Sequence, residues 1–254
     1  MFRRHLVVKV LLALVLLASG SSLWAASSDQ RDPWEDWNRK VFWFNETADQ
    51  YVVRPVAETY KDWTPQLVDE GISNFFDNLG SVVQVSNDLL QGQWSQAGRD
   101  SARFLLNTTV GVLGFFDVAD YIGLASEPED FGQSLAVWGL DSGPYVILPL
   151  LGSSTVRDAG GRVFDSWISP MNWAEDGSVR LGMNSLDLLD TRADILNTEG
   201  LLSGDRYSFL RELYFQRRAF LIGEAEGEGF GEGGFGEGPF DDGFGDEGFG
   251  EDGF

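Results

Sequence analysis

Helix-start signals recur along the middle of the chain. At each one, a residue that can accept a backbone hydrogen bond, or a proline, precedes apolar residues at helical spacing. Alternation of apolar and polar residues with a period of two is convincing only over Tyr145 to Leu148. The pattern therefore predicts a mainly α fold. The predicted helices run from Thr64-Pro65 to Gly80, from a cap at Ser95 through Leu106, from a cap at Ser178 through about Ile195, and from a cap at Asp205 through about Leu221.

Proline and short apolar stretches interrupt this helical pattern. Pro55 lies inside an otherwise helical segment, Trp37 to Trp63, and predicts a kink or a break there. Val110 to Phe116 and Val146 to Leu151 are apolar stretches, but both are far shorter than the roughly 20 residues that a membrane-crossing helix needs. They suit a body sunk partway into a membrane, or a helical hairpin that lines an apolar passage.

The N-terminal residues 1–25 read as a signal peptide. They combine a positively charged start, an apolar run from Leu11 to Leu17 that is too short to span a bilayer, and a plausible cleavage site at Ala25 or Ala26. The sequence therefore predicts export. An uncleaved segment that serves as a membrane anchor is the alternative.

The C-terminal residues 224–254 differ sharply from the body. They hold 12 glycines, 11 acidic residues and six phenylalanines at spacings of four or five, with no basic residue. Such a segment has too little apolar surface to fold alone, so a disordered acidic tail is predicted. It serves either to solubilise the protein or to dock its phenylalanines on a partner or a lipid surface. Residues 26–223 remain as one helical domain.

The missing residue types exclude several kinds of chemistry. The chain has no cysteine, and its single histidine, His5, lies in the predicted signal peptide. The exported part therefore offers no disulfide, no Ser-His-Asp or Cys-His catalysis and no zinc site built from these ligands. Catalysis by paired carboxylates remains chemically possible, but no spacing singles out a pair, and no cofactor or metal is predicted. The net charge of −22 argues against a nucleic-acid partner.

Short polar and aromatic strings through the body carry a family resemblance. They are Asp32-Pro33-Trp34-Glu35 followed by Asn38-Arg39, then Asn74-Phe75-Phe76, Asn87-Asp88-Leu89-Leu90-Gln91-Gly92, Arg103-Phe104-Leu105-Leu106-Asn107-Thr108-Thr109, Gly143-Pro144-Tyr145 and Arg157-Asp158. Together they resemble the MlaA (VacJ) family from about Asp32 to about Phe220. A helix start explains Asp32-Pro33, but it does not require Asn38-Arg39 followed by Phe42, Phe44 and Asn45.

The resemblance implies a ring-shaped helical body embedded in the inner, periplasm-facing leaflet of a Gram-negative outer membrane. Members of the family remove misplaced phospholipid from the outer leaflet through an amphipathic channel, next to trimeric porins, and pass it to a periplasmic lipid-carrier protein. No enzyme activity is implied. Many relatives carry a lipidated cysteine after the signal peptide. This chain has no cysteine, so membrane attachment is expected to come from the folded body.

Two alternatives remain open at this point. One is a soluble periplasmic lipid-binding protein, which the missing lipid anchor favours. The other is a carboxylate-dependent periplasmic hydrolase.

Seven residues are candidates for the lipid path. Three are arginines, since a guanidinium matches phosphate bidentately: Arg39, Arg103 and Arg157. The string Arg157-Asp158 also predicts a local ion pair at a helix start after Ser153-Ser154-Thr155. The other four lie in a bend-rich segment that the resemblance places in a hairpin beside the channel, where we expect a gate: Gly139, Gly143, Pro144 and Tyr145.

Two further groups of side chains bear on the membrane interpretation. The eight tryptophans after the signal peptide suit a membrane interface and a protein core alike. Five amide side chains lie among large apolar residues and must find hydrogen-bond partners, at neighbouring helix ends or on lipid headgroups. They are Asn74, Asn78, Asn87, Gln91 and Asn107.

Overall fold

The computed structural model describes residues 31–196 and 205–223. The predicted signal peptide and the predicted tail lie outside the described residues. The elements in chain order are α1 (Glu35–Ala48), a π-helical turn (Asp49–Val53), α2 (Arg54–Trp63), α3 (Gln66–Gln91), α4 (Trp94–Thr109), α5 (Val118–Tyr121), α6 (Phe131–Val137), β1 (Tyr145–Leu148), β2 (Gly152–Thr155), α7 (Val156–Ile168), a 3-10 turn (Pro170–Asn172), α8 (Gly177–Asp194) and α9 (Arg206–Leu221). The prediction of a mainly helical fold is confirmed.

Helix α3 is longer than predicted. Gly80 does not end it, because the helix continues to Gln91 and stops at Gly92, which adopts the left-handed conformation at φ 76°. A glycine inside a helix costs only about 0.5–1 kcal/mol relative to alanine. The packing of α3 along α4 offsets that cost, so the glycine alone was a poor stop signal.

Two predicted helix caps are wrong by two residues, and one is correct. Gln93 rather than Ser95 precedes α4, and no side chain caps it. Asp176 rather than Ser178 caps α8, because its carboxylate accepts the Ser178 backbone N–H at 2.7 Å. Asp205 caps α9 as predicted, by accepting the Tyr207 backbone N–H at 3.2 Å.

The segment around Pro55 is helical throughout, with a defect rather than a break. A π-helical turn, Asp49–Val53, joins α1 to α2, and Pro55 lies in the first turn of α2. A wider turn before proline accommodates the missing N–H and the bulk of the ring. Arg192 of α8 holds the turn through two hydrogen bonds to the carboxylate of Asp49, at 2.7 and 2.8 Å.

The apolar stretch from Val146 to Leu151 forms part of a β-hairpin, so the expectation of a helical hairpin there is wrong. The strand predicted at Tyr145 to Leu148 is confirmed as β1, which pairs antiparallel with β2 from Tyr145 opposite Thr155 to Leu148 opposite Gly152. Strand β2 reads Gly-Ser-Ser-Thr, which has no apolar alternation and therefore gave no strand signal. Helices α1, α7 and α9 pack on this hairpin. No helix among residues 31–196 and 205–223 is long and apolar enough to cross a membrane.

Candidate functional site

The base of the β-hairpin belongs to a cluster of buried apolar side chains in the described part of the chain. Tyr145 is fully buried, and its ring meets Tyr207 and Tyr214 edge-on, at 6.3 and 5.9 Å between ring centroids. Its hydroxyl lies 2.8 Å from the Ser153 Oγ of β2. Burial raises the pKa of Tyr145. The structure thus places this lipid-path candidate inside the protein, where it anchors the hairpin.

Two asparagines of α1 bind the edge of β1 that β2 leaves free. Asn38 donates to the Tyr145 carbonyl at 3.0 Å and accepts the Ile147 N–H at 2.9 Å. Seven residues later on the same helix face, Asn45 donates to the Leu148 carbonyl at 3.0 Å and accepts the Leu150 N–H at 2.8 Å. Helix α1 therefore acts as a third strand would, through side-chain amides.

The turn between the strands presents apolar side chains to the outside. Leu150 and Leu151 are 56% and 63% exposed, and Leu150 adopts a left-handed φ of 63°. A left-handed backbone at a non-glycine residue costs roughly 1–2 kcal/mol. Asn45 holds the turn from the side of α1. Arg162 of α7 holds it by donating to the carbonyls of Leu151 and Ser153, at 2.9 and 3.1 Å.

The other predicted gate residues lie in the loop that leads into β1. Gly139 and Gly143 adopt left-handed φ angles of 86° and 67°, which glycine tolerates and other residues resist. A Cβ on Gly143 would lie 3.3 Å from the Val156 Cβ, whereas one on Gly139 would meet open space. The Pro144 carbonyl accepts the Val156 N–H at 3.1 Å. This loop is therefore docked against the start of α7.

Arg39 is the most exposed of the three candidate arginines, with 41% of its side chain accessible. It pairs with Glu35 at 2.7 Å and with Asp205 at 2.8 Å, and it lies 4.3 Å above the Tyr207 ring. The hydrogen bond from Arg39 holds the pKa of Asp205 well below its usual range. Arg39 thus ties α1 to the start of α9.

Arg103 is buried in a different part of the molecule. It pairs with Asp117 at 2.8 Å and donates to the Leu124 carbonyl. Burial favours the neutral form of Asp117, but hydrogen bonds from the Asp120 backbone, Asn107 and Arg103 outweigh it and lower the pKa of this carboxyl. Asp117 also caps α5.

Arg157 is buried at the start of α7, and the predicted local ion pair with Asp158 is confirmed at 2.9 Å. Thr155 caps this helix. Asp158 also binds Arg218 of α9 at 2.8 Å and accepts the Tyr214 hydroxyl. Among the described residues Arg39, Arg103 and Arg157 share no partner, so the structure does not gather them into one phosphate site.

All five singled-out amides bind protein groups. Asn87 and Gln91 each bind Ser134 of α6, and Asn107 accepts the Ala119 N–H at the start of α5. Asn74 and Asn78 donate to the Phe115 carbonyl and to Thr108 Oγ1, at 3.3 and 2.9 Å. Each of the five amides therefore has a protein partner, although Asn78 Oδ1 is buried without one.

An apolar cleft of about 510 Å³ opens between α3, the loop 110–116 and α8. Its lining residues are Gly71, Ile72, Phe75, Phe76, Val112, Leu113, Phe115, Val179, Gly182, Met183 and Leu186. Val112 and Leu113 adopt left-handed φ angles of 57° and 60° although neither is glycine, which marks a strained wall. A Cβ on Gly71 would lie 2.2 Å from the Phe115 ring, so the loop sits directly on the α3 backbone.

Many large apolar side chains are exposed, and most of the buried side chains are polar or charged. Among the described residues, the fully or nearly fully buried side chains comprise ten apolar and nineteen polar or charged ones, while thirty-six large apolar side chains are exposed. Trp63, Trp94 and Trp167 are 85%, 72% and 77% exposed. Exposed apolar surface on this scale marks a protein or membrane interaction site.

Comparisons with known proteins decide the family. A family model described as MlaA lipoprotein matches residues 30–221. The chain belongs to the MlaA lipoprotein family. The resemblance seen in the motifs is confirmed.

Named members of the family cover most of this chain. The intermembrane phospholipid transport system lipoprotein MlaA of Escherichia coli is 39% identical over 231 residues, which span 85% of this chain and 90% of that protein. The protein of the same name from Haemophilus influenzae is 30% identical over 205 residues, 78% and 82% of the two chains.

A solved MlaA-like structure shares the fold. It comes from work on the structural basis for maintenance of bacterial outer membrane lipid asymmetry. It matches with a TM-score of 0.68 and 38% identity, over 75% of this chain and 98% of that one.

Sequence reasoning missed two features of this MlaA-family site. Asn38 and Asn45 were recognised as family-like, but their contact with β1 was not foreseen. Their spacing of seven residues, which places both on one helix face, was the available signal. The positive φ angles of Val112 and Leu113 have no sequence signal, since neither residue type favours that conformation.

Proposed function

We propose that this MlaA-family protein removes phospholipid from the outer leaflet of a Gram-negative outer membrane and passes it toward the periplasm, without making or breaking a bond. The buried polar groups and the many exposed apolar side chains carry this proposal. Most buried side chains of the described body are polar or charged, while many aromatic and aliphatic side chains are exposed. Relatives that share this family bear the name of an intermembrane phospholipid transport system.

In this proposal the protein forms a ring in the inner leaflet. The exposed tryptophans lie at the membrane interface, where their polar ring edge stays hydrated and the rest of the ring enters the apolar layer. Attachment comes from the body, because the sequence contains no cysteine for a lipid anchor. A trimeric porin beside the ring and a periplasmic lipid-carrier protein below it complete the proposed route.

The apolar cleft between α3 and α8 is the proposed place for lipid tails. Its lining consists of apolar side chains and glycine, so a hydrocarbon chain loses no hydrogen bond on entering it. The phosphate headgroup follows the polar interior. Arg39 is the arginine best placed to meet it, since Arg103 and Arg157 have only 10% and 5% of their side chains accessible.

The segment from Gly139 to Pro149 forms the proposed gate. Its base is fixed by Tyr145, and it ends in a turn that carries the exposed Leu150 and Leu151 and is held by the amide of Asn45. Freeing the turn from α1 breaks the two neutral hydrogen bonds of Asn45, each worth about 0.5–1.5 kcal/mol net. The turn then stays tied to α7 through Arg162, so this movement does not require unfolding.

Fractionation and lipid labelling together test the proposal. The chain is expressed in a Gram-negative strain that lacks its own family member, and amine-bearing lipid in the outer leaflet is measured with a membrane-impermeant reagent. We expect the protein to stay in the membrane after a carbonate wash, to co-purify with a porin and to lower the labelled lipid. Full release into the wash, or unchanged labelling at normal abundance, contradicts the proposal.

Glycine variants test the gate separately. Gly143→Val forces a branched side chain onto a left-handed backbone, and its Cβ would lie only 3.3 Å from the Val156 Cβ, so the loop cannot keep its conformation. Gly123→Val is the matched control, because Gly123 has a φ of 78° and open space around it. We expect lipid clearance to fall for Gly143→Val alone at equal protein abundance. Equal lipid clearance by the two variants contradicts the proposed gate.

A further inference from the structure

The corner between α3 and α4 contains a pair of carboxylates that the lipid route does not use. Asp88 lies in the last turn of α3, Asp100 lies in the second turn of α4, and both are fully buried. Gly92, at the left-handed φ of 76°, makes the sharp connection that brings the two helices together. Asp88 belongs to the string Asn87 to Gly92, whose other polar residues have already been assigned structural contacts.

The hydrogen bonds of this pair are incomplete. One oxygen of Asp100 accepts Gln96 Nε2 at 2.9 Å. The other oxygen of Asp100 and both oxygens of Asp88 are buried without a hydrogen-bond partner. A buried ionised carboxylate without partners is strongly unfavourable, and two of them side by side are worse.

The surrounding charges do not compensate for the pair. Glu127 and Glu129, in the segment before α6, add negative charge near Asp88. Asp165 of α7 is bound by Asn87 and by the Phe131 N–H. The two arginines of α4 bind other groups, since Arg99 donates to the Gln96 side chain and Arg103 pairs with Asp117. No ion pair to Asp88 or Asp100 occurs among the described residues.

We propose that Asp88 and Asp100 form a proton-binding site, in which one shared proton closes the corner between α3 and α4. Two carboxylates can only accept hydrogen bonds, so a bond between them exists when one of them is protonated. Such a proton satisfies one oxygen on each side and removes one of the two charges. The proposal is independent of lipid transport.

The pH dependence follows from the environment of Asp88. Burial, together with the charge of Asp100, raises the pKa of Asp88 to about 7. An exposed aspartate has a pKa of about 3.9. The closed corner therefore holds a proton that the open corner releases. The stabilisation is complete at acidic pH, declines as the pH rises toward about 7, and is absent above it.

Opening of this corner should also disturb α6, because α3 and α6 are joined by hydrogen bonds near Asp88. Asn87 and Gln91 bind Ser134, and the Leu90 carbonyl accepts Trp138 Nε1 at 3.2 Å. All three donors or acceptors on α3 lie within one turn of Asp88. Loss of the proton is thus expected to loosen α6 together with the corner.

Hydrogen–deuterium exchange of the full chain in detergent micelles tests the proton site. Exchange of residues 86–100 is measured from pH 5 to 9 and corrected for the intrinsic rate. We expect the opening constant of the wild-type corner to rise by up to about tenfold per pH unit between pH 5 and 7 and then to level off, as one coupled proton requires. Asp88→Asn should give a flat profile with strong protection throughout, because its amide donates to Asp100 at every pH.

The controls separate this site from other carboxylates. Asp62→Asn, at an exposed position of α2, should keep the wild-type profile. Asp100→Asn serves as the second variant and should flatten the profile as Asp88→Asn does. Parallel profiles for wild type and both pair variants overturn the proposal. It is also overturned if millimolar calcium chloride restores protection at pH 8 in the wild type but not in Asp88→Asn, because the pair then binds a cation.

Discussion

The base and the turn of the β-hairpin are about three residues apart along each strand, yet they are held in opposite ways. At the base, Tyr145 is fully buried, and the neighbouring Asp158 binds Arg157 and Arg218. At the turn, Leu150 and Leu151 are exposed, and hydrogen bonds with the side chains of Asn45 and Arg162 hold the backbone. Disturbing the base should therefore cost more free energy than disturbing the turn. A gate whose turn moves while its base stays fixed requires this difference.

Removing the carboxylate of Asp158 should produce the largest effect. Asp158→Ala leaves the buried Arg157 without its anion and Arg218 with Asp130 alone, and breaking a buried pair this way costs about 3–5 kcal/mol. Glu58→Ala, which breaks an exposed pair with Arg54, should cost less than about 1 kcal/mol. Chemical denaturation in micelles measures both. Similar losses for the two variants mean that the base is no more rigid than the surface.

The same carboxylate should make the base sensitive to acid. Burial opposes ionisation of Asp158, but the Tyr214 hydroxyl and the charges of Arg218 and Arg157 outweigh it and lower the pKa. The stabilisation is therefore present above the pKa of the unfolded carboxyl and is lost as the pH falls through the folded one. Wild type and Asp158→Asn should converge in stability at strongly acidic pH. A constant difference across pH contradicts this assignment.

The two asparagines of α1 allow a matched comparison, because Asn38 binds the base of the hairpin and Asn45 binds its turn. Asn38→Ala leaves the Tyr145 carbonyl and the Ile147 N–H of β1 without their Asn38 partner, so a loss of about 1–3 kcal/mol per orphaned group is expected. Asn45→Ala frees the partly exposed turn and should lower global stability by less than about 1.5 kcal/mol. Exchange of the Leu150 amide should rise in Asn45→Ala. If Asn45→Ala destabilises as much as Asn38→Ala, the turn is part of the rigid base.

Arginine-to-lysine changes test whether charge or geometry matters away from the hairpin. Arg39→Lys keeps one ion pair at a position with 41% side-chain exposure, so stability should change by less than about 1 kcal/mol. Lipid clearance should nevertheless fall, because lysine lacks the planar fork that matches phosphate. Arg103→Lys and Arg157→Lys change buried positions and should lower the free energy of unfolding. Lipid clearance per folded molecule should change less. If all three variants clear lipid as well as wild type, the arginines are structural.

The smallest effect is expected from the acidic C-terminal residues. Truncation after Gly223 removes a segment with 12 glycines and 11 acidic residues, which has little means of offsetting the entropy of ordering. The melting temperature and helix content should not change. A large loss of thermal stability in the truncated protein shows that these residues pack on the body.

The sequence predicted the elements whose signals are local. Asp205 capped a helix as expected, β1 appeared at the one alternating segment, and Arg157-Asp158 paired at a helix start. The failures have a common cause, which is tertiary contact. Gly80 did not end α3, because α4 packs alongside it. Strand β2 forms because β1 offers a partner and not because Gly152 to Thr155 favour extended structure.

The candidate site was less predictable than the fold. The bend-rich segment was correctly singled out by its glycines and proline, but nothing local showed that Tyr145 would be buried and Leu150 exposed. The three arginines were chosen for their chemistry alone. Arg157 pairs with its neighbour in the chain, as the sequence predicted, whereas Arg39 pairs with a carboxylate 166 residues away. A long-range pair of this kind has no signal in a single sequence.

A reversible lock on the hairpin turn tests the central claim most directly. The chain has no cysteine, so Asn45→Cys combined with Leu150→Cys introduces the only thiols, at two positions that are hydrogen-bonded in the wild type. A short thiol–thiol cross-linker with a cleavable bond then fixes the turn to α1, and each single variant serves as the control. We predict that the locked protein leaves phospholipid in the outer leaflet and that cleaving the cross-link restores clearance. Clearance by the locked protein at the rate of the single variants would contradict the account.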